Sequence, residues 1–152
     1  MRLILASGLS AERWGRVGRH LVFVYGTLRR GGLRAMPDVF PGAEFVGRAG
    51  VGGRLYDLGA HPALLLGGTD STVAGEVYEV DEATLVEMDG IEAADDYRRR
   101  EVEVSLDAGR RACWVYVPEQ SAEFYARRKL IASGDWIEYA GVRPRGGPPD
   151  AD

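Results

Sequence analysis

Leu21-Val22-Phe23-Val24-Tyr25-Gly26-Thr27-Leu28-Arg29-Arg30-Gly31-Gly32 is the stretch on which the reading of this chain turns. Its first five residues are a short continuous apolar run stopped by Gly26, the pattern of a strand buried on both faces and hence of a central strand. The loop that follows carries glycines at both ends. They let the backbone turn tightly and approach a ligand, so that successive amide N–H groups can converge on an anion or a developing oxyanion. A strand-ending turn with no ligand accounts for the same glycines equally well. No Gly-Lys-Ser/Thr follows and the glycine spacing is wrong, so this is not a nucleotide P-loop.

Outward from that loop, strand signals dominate. Between Ala43 and Leu58, the residues Phe45, Val46, Val51, Leu55 and Tyr56 are broken by Gly47, Gly50, Gly52 and Gly53. This predicts one long strand bent at bulges, or two short ones, and the bending points to a barrel. Val73 to Val80 is a further strand. Val102, Val104 and Leu106 alternate with Glu101, Glu103 and Ser105, so one side of that strand faces water. Asp107-Ala108-Gly109 supplies turn chemistry ahead of Ala112 to Val117, which completes an antiparallel hairpin.

Helical signals are fewer. Asp81 is a suitable N-cap for a short helix with Leu85 and Met88 on one face and Gly90 placed to end it. A second helix is expected over 119–129, and a last turn from Ser133 or Asp135 that packs Trp136 inward. The sum is an α+β domain, a small mixed or antiparallel β-barrel with a few short helices. Residues 1–19 read as an extension ahead of it, 20–142 as one domain, and 143–152 as a flexible tail containing Pro144, Gly146, Gly147, Pro148 and Pro149.

Composition narrows the functional classes. The chain has 152 residues, 45% of them hydrophobic and 28% charged, and a formal charge of −4, which is an ordinary globular balance. Basic residues form no stripe, and Arg98-Arg99-Arg100 reads as exposed strand-end charge, so no nucleic-acid partner is expected and a small molecule is favoured. The single Cys113 sits in an apolar strand, reads as a core residue, and fits a cytoplasmic setting. His20 and His61 are too few for a metal site, and His61 precedes Pro62 in an apparent turn. No cofactor, metal or membrane segment is expected, and the oligomeric state stays open.

A second constellation is Leu85-x-x-Met88-Asp89-x-x-Glu92, followed by Tyr97-x-Arg99 at a strand entry. A carboxylate just past a helix end and flanked by Ile91, Ala93 and Ala94 can be partly desolvated, which raises its pKa toward the range useful for moving protons. A solvated glutamate is the commoner outcome at such positions.

Together these segments resemble the γ-glutamylcyclotransferase-like family, in particular its small bacterial and AIG2-like branch. Val24-Tyr25-Gly26-Thr27-Leu28-Arg29-Arg30-Gly31 is similar to the family's Tyr-Gly-Ser/Thr-Leu-x-x-Gly loop. Gly53-x-Leu55-Tyr56-Asp57-Leu58-Gly59-x-x-Pro62, Gly75-Glu76-Val77-Tyr78, Leu85 to Arg99, Trp114-Val115-Tyr116 and Ser133-Gly134-Asp135-Trp136 resemble its later landmarks in order. The resemblance spans about residues 20 to 140. It implies a lyase that converts a γ-glutamyl amine or γ-glutamyl peptide to 5-oxoproline and the free amine, with Glu92 as general acid and base. It implies substrate binding by Tyr25, Gly26, Thr27 and Leu28, with Tyr97, Arg99 and Tyr116 as pocket or supporting residues. A non-catalytic module binding a small metabolite on the same fold is the rival reading.

Overall fold

The computed structural model describes residues 18–142 apart from Thr69, so the sequence expectations for 1–17 and 143–152 lie outside the described residues. Arg19–Val24 forms strand β1, which takes in Arg19, a residue the sequence reading left in the extension. Its flanks make it central. It pairs antiparallel with β4 (Thr72–Asp81) on one side and parallel with β6 (Gly109–Pro118) on the other. Alternation then splits its apolar residues between two cores. Leu21, Phe23 and Tyr25 enter one with Val77, Val115 and Trp136, while Val22 and Val24 enter the other with Tyr78, Leu85 and Met88.

The region read as one bent strand or two is a single strand, β2 (Glu44–Asp57), with a register shift between Phe45 and Gly47 against β4. Bending lets β2 reach several neighbours. It pairs with β4, with β3 (Pro62–Leu66) and, at Ala49 and Gly50, with β5 (Tyr97–Leu106). The ring β2-β4-β1-β6-β5 thereby closes on itself, so the expected small barrel is the observed architecture. The β5–β6 hairpin runs ten residues a side, joined by a two-residue turn at Asp107-Ala108.

The helices depart from expectation in instructive ways. Helix α1 (Met36–Val39) was not foreseen, since four residues carry no readable period. Helix α2 (Glu82–Ala93) has the expected cap, Asp81 Oδ1 accepting from Thr84 N at 2.8 Å. It does not stop at Gly90 but runs on to Ala93. The left-handed residue that turns the chain is Asp96, at φ 66°, a residue type that tolerates this region. Glu92 therefore sits in the last turn of the helix, not beyond it. The expected helix over 119–129 is only α3 (Ala122–Ala126), because Lys129 and Leu130 extend as β7 to pair with Tyr56 and Asp57 of β2. Trp136 opens α4 (Trp136–Val142) and is buried, as expected. No helix among the described residues is long and apolar enough to cross a membrane.

Candidate active site

The loop after β1 is built so that its carbonyls serve the fold while two of its amides do not. The carbonyls of Gly26, Thr27, Leu28 and Arg29 accept from the backbone N–H groups of Arg29, Arg34, Met36 and Gly32, at 3.0, 3.0, 2.8 and 2.8 Å. Among the described residues the amides of Thr27 and Leu28 have no acceptor. Two adjacent N–H donors are thus left unpaired in a loop whose residues Tyr25, Gly26, Thr27 and Leu28 all line a cavity of about 330 Å³.

Two glycines are required for this path. A Cβ at Gly32 would lie 2.3 Å from the Thr27 carbonyl oxygen, and one at Gly26 would lie 2.8 Å from Pro62 Cδ. Gly26→Ala must push the start of β3 away from the loop. An expected cost of about 1–3 kcal/mol follows, with a larger fractional loss of ligand affinity than of fold stability. Chemical denaturation and ligand titration of the variant check this together; an unchanged midpoint would mean that the Pro62 contact relaxes freely.

A buried ion pair anchors the loop from behind. Arg29 and Glu76 are 7% and 3% exposed. Arg29 Nε donates to Glu76 Oε2 at 2.8 Å, its NH1 group to Asp135 Oδ1 at 2.8 Å, and the Arg30 backbone N–H to Glu76 Oε1 at 3.0 Å. Strand β4, helix α4 and the loop are pinned at one point. No role was assigned to these residues from sequence, because a buried arginine and a buried glutamate look like ordinary surface charges until the fold pairs them.

Glu92 lines the same cavity. Burial lifts its carboxyl from 4.5 to about 7, the neighbouring Asp95 pushes the same way, and the Arg34 guanidinium opposes them. The tyrosines beside it stay protonated. Tyr25 lies well above the ordinary phenol range through burial, and Tyr97 is raised by burial and then by the Glu92 charge. The Tyr25 hydroxyl donates to the Tyr116 carbonyl at 2.7 Å.

The remaining expected residues divide. Tyr97 and Tyr116 line the cavity, whereas Arg99 is not among its lining residues. Arg99 instead makes two contacts with Asp89, Nε to Oδ1 at 2.9 Å and NH2 to Oδ2 at 3.1 Å, and lies over the Trp114 ring. Asp89 Oδ1 also accepts from the Tyr116 hydroxyl at 2.6 Å. Asp89 precedes Glu92 by three residues on α2, so this cluster sets the face that the helix turns to the cavity. Tyr125 packs on Tyr56 and Phe124 and donates to the Pro118 carbonyl at 3.1 Å. Cys113 is a buried core residue whose thiol burial pushes to about 12.

Among the lining residues given no site role from sequence are Leu33, Arg34, His61, Ile91 and Asp95. The Tyr97 hydroxyl gives its one proton to the Pro62 carbonyl at 2.9 Å, so at its 3.1 Å contact with His61 the Nδ1 nitrogen is the donor. In the neutral ring Nε2 is then the acceptor. Only the fold brings His61, between β2 and β3, to the entry of β5. Among the described residues no three His, Cys, Asp or Glu side chains cluster as a metal site.

Comparison with known proteins bears on the family and the fold. The family profile described as gamma-glutamyl cyclotransferase, AIG2-like, matches residues 22–138. A Vibrio cholerae relative is 37% identical over 123 residues, spanning 79% of this chain and 97% of its own length. The gamma-glutamylaminecyclotransferase of Bos taurus is 38% identical over 111 residues, 62% of this chain and 63% of that protein. The crystal structure of an AIG2-like protein from Mus musculus superposes with a TM-score of 0.66 at 32% identity, covering 84% of this chain and 97% of that one. With the profile spanning both the Tyr25–Gly32 loop and Glu92, the chain belongs to the AIG2-like gamma-glutamylcyclotransferase family.

Proposed function

We propose that this protein is a cyclotransferase that converts a γ-glutamyl amide to 5-oxoproline and the free amine. The observation that carries the reading is one cavity lined both by a carboxyl lifted to about 7 and by the loop in which the Thr27 and Leu28 amides are unpaired. The substrate supplies its own nucleophile, its α-amine, so the reaction calls for no covalent enzyme intermediate. Intramolecular attack already has high effective molarity, and the protein's task is to fold the substrate and handle charge and protons.

Glu92, as the carboxylate, takes a proton from the α-ammonium. The freed amine attacks the γ-carbonyl carbon and forms the ring C–N bond. The Thr27 and Leu28 amides hold oxygens of the glutamyl group and polarise that carbonyl as charge develops. Protonated Glu92 gives its proton to the departing nitrogen as that C–N bond breaks, and the carboxylate so regenerated takes the extra proton of the ring nitrogen, which leaves with the released amine as its ammonium. A pKa near 7 suits both halves of this cycle at neutral pH. Incubation of the protein with a panel of γ-glutamyl amides is the test. The expected result is 5-oxoproline and free amine in equal amounts from at least one member. Binding of the panel without release of either product would overturn the enzyme reading in favour of a metabolite-binding module.

A further inference from the structure

We infer that His61 is a positioning residue for this reaction. Its Nδ1–H directs the Tyr97 hydroxyl onto the Pro62 carbonyl, and Pro62 so held sets where the Thr27 and Leu28 amides stand. The inference rests on the cyclotransferase reading and gives His61 no part in proton transfer.

Three contacts in series lead to it. The first is the fork at Tyr97, whose hydroxyl oxygen lies 2.9 Å from the Pro62 carbonyl and 3.1 Å from His61 Nδ1, with one proton to give. A bare Nδ1 would compete for that proton. An Nδ1 that carries its own hydrogen donates instead and leaves the phenol proton to Pro62, so the tautomer of His61 decides which way the hydroxyl points. Second, Pro62 depends on that bond. It opens β3 opposite Asp57, but as a proline it has no N–H to give to β2, and its carbonyl is the one backbone group by which a hydrogen bond can hold it. Pro62 and Tyr97 are both buried, and a carbonyl left without a donor there is costly. Third, the Pro62 ring fills the space that a side chain on Gly26 would need: a Cβ there would lie 2.8 Å from Cδ and 2.9 Å from Cγ. Gly26 is joined by one peptide bond to Thr27, the first of the two unpaired amides. A shift of Pro62 is thus passed to the donors that polarise the γ-carbonyl, and small displacements of such donors are expensive in rate.

Nε2 has no place in this series, and that separates two variants. The side-chain N–H of asparagine falls near the position of Nδ1, whereas that of glutamine falls near Nε2. His61→Phe and His61→Gln should each lower kcat by about fivefold to tenfold, the worth of one buried hydrogen bond, and His61→Asn should restore most of that loss. A γ-glutamyl amide and its γ-thioamide give a second readout. Sulfur is a weak acceptor, so the preference for the oxygen compound reports the pull of the two amides. His61→Phe should shrink that preference and His61→Asn should keep it. Equal losses on both compounds, or a His61→Asn variant as slow as His61→Gln, overturn the assignment.

Nuclear magnetic resonance without substrate separates this inference from the reaction itself. The chain has two histidines, so comparison with His20→Gln assigns the His61 ring. The neutral His61 ring should carry its hydrogen on Nδ1. The Thr27 and Leu28 amide signals should move in His61→Phe and His61→Gln and stay in place in His61→Asn. Those shifts, found in a protein that turns over no γ-glutamyl amide, would sink the cyclotransferase reading and leave His61 as the residue that holds the loop. A hydrogen on Nε2, or amide signals indifferent to the loss of the Nδ1 donor, would sink the His61 assignment whatever the turnover.

Discussion

Glu92→Gln is expected to lower 5-oxoproline release by about 10³-fold, the scale of a lost general acid–base group. Glutamine keeps the shape and can still accept a hydrogen bond, but it neither takes nor returns a proton. The wild-type kcat/KM should rise with pH and level off above about 7, following the ionisation of this carboxyl, and the residual rate of the variant should lack that limb.

The same substitution has a stability signature of opposite sign. Burial holds the Glu92 proton more tightly in the folded chain, with a pKa of about 7, than at the 4.5 of a solvated glutamate. Stability from the bound proton is therefore complete below about pH 4.5 and is lost as pH rises through about 7. Above that range the folded protein carries a charged carboxylate in a dry wall, at a cost on the order of 2–3 kcal/mol. Glu92→Gln should accordingly melt several degrees above wild type at pH 8 and level with it at pH 4. Calorimetric scans at the two pH values, beside the activity assay, check both effects. A variant that is equally active, or that melts below wild type at pH 8, would remove Glu92 from the proton-handling role.

The second large effect belongs to Arg29. Replacing it with methionine keeps most of the side-chain volume but leaves Glu76, 3% exposed, with the Arg30 backbone N–H as its remaining donor. A buried charge deprived of its partner costs about 3–5 kcal/mol, or on the order of 10 °C in melting temperature for a chain of this size. Activity should fall as well, because the pair fixes the segment from which the Thr27 and Leu28 amides project. Arg29→Met/Glu76→Gln should regain part of the stability, since it strands no charge, while activity stays low. Thermal melts of the two variants decide it. A loss under about 1 kcal/mol in the single variant would show that the ion pair does not hold the loop.

Helix α2 shows where local reasoning reaches its end. Asp81, Leu85 and Met88 announce its cap and inward face. Gly90 looked like the stop, yet the helix continues and the turn falls on Asp96. A glycine permits a left-handed exit but does not compel one. The outcome depends on how the segment beyond it is tied into the fold, and only the assembled fold sets that. Moving the helix end by three residues is what places Glu92 in an ordered turn, on the same side as Asp89 and its partners.

The sequence by itself determined what depends on neighbours along the chain. The run before Gly26 reads as a central strand, the glycines of 47–53 as a bent strand, and Asp107-Ala108-Gly109 as a hairpin turn, because these rest on alternation and on backbone freedom. The resemblance of the Tyr25–Gly32 and Leu85–Arg99 segments to one family added the pairing of a loop with a glutamate. What tertiary structure alone decided is everything that crosses the barrel: Arg29 with Glu76 across 47 residues, His61 with Tyr97 across 36, and Arg34 brought to the same cavity as Glu92. Charge pairing, desolvation and cavity walls arise between residues distant in sequence, so they exist only once the sheet has closed around them.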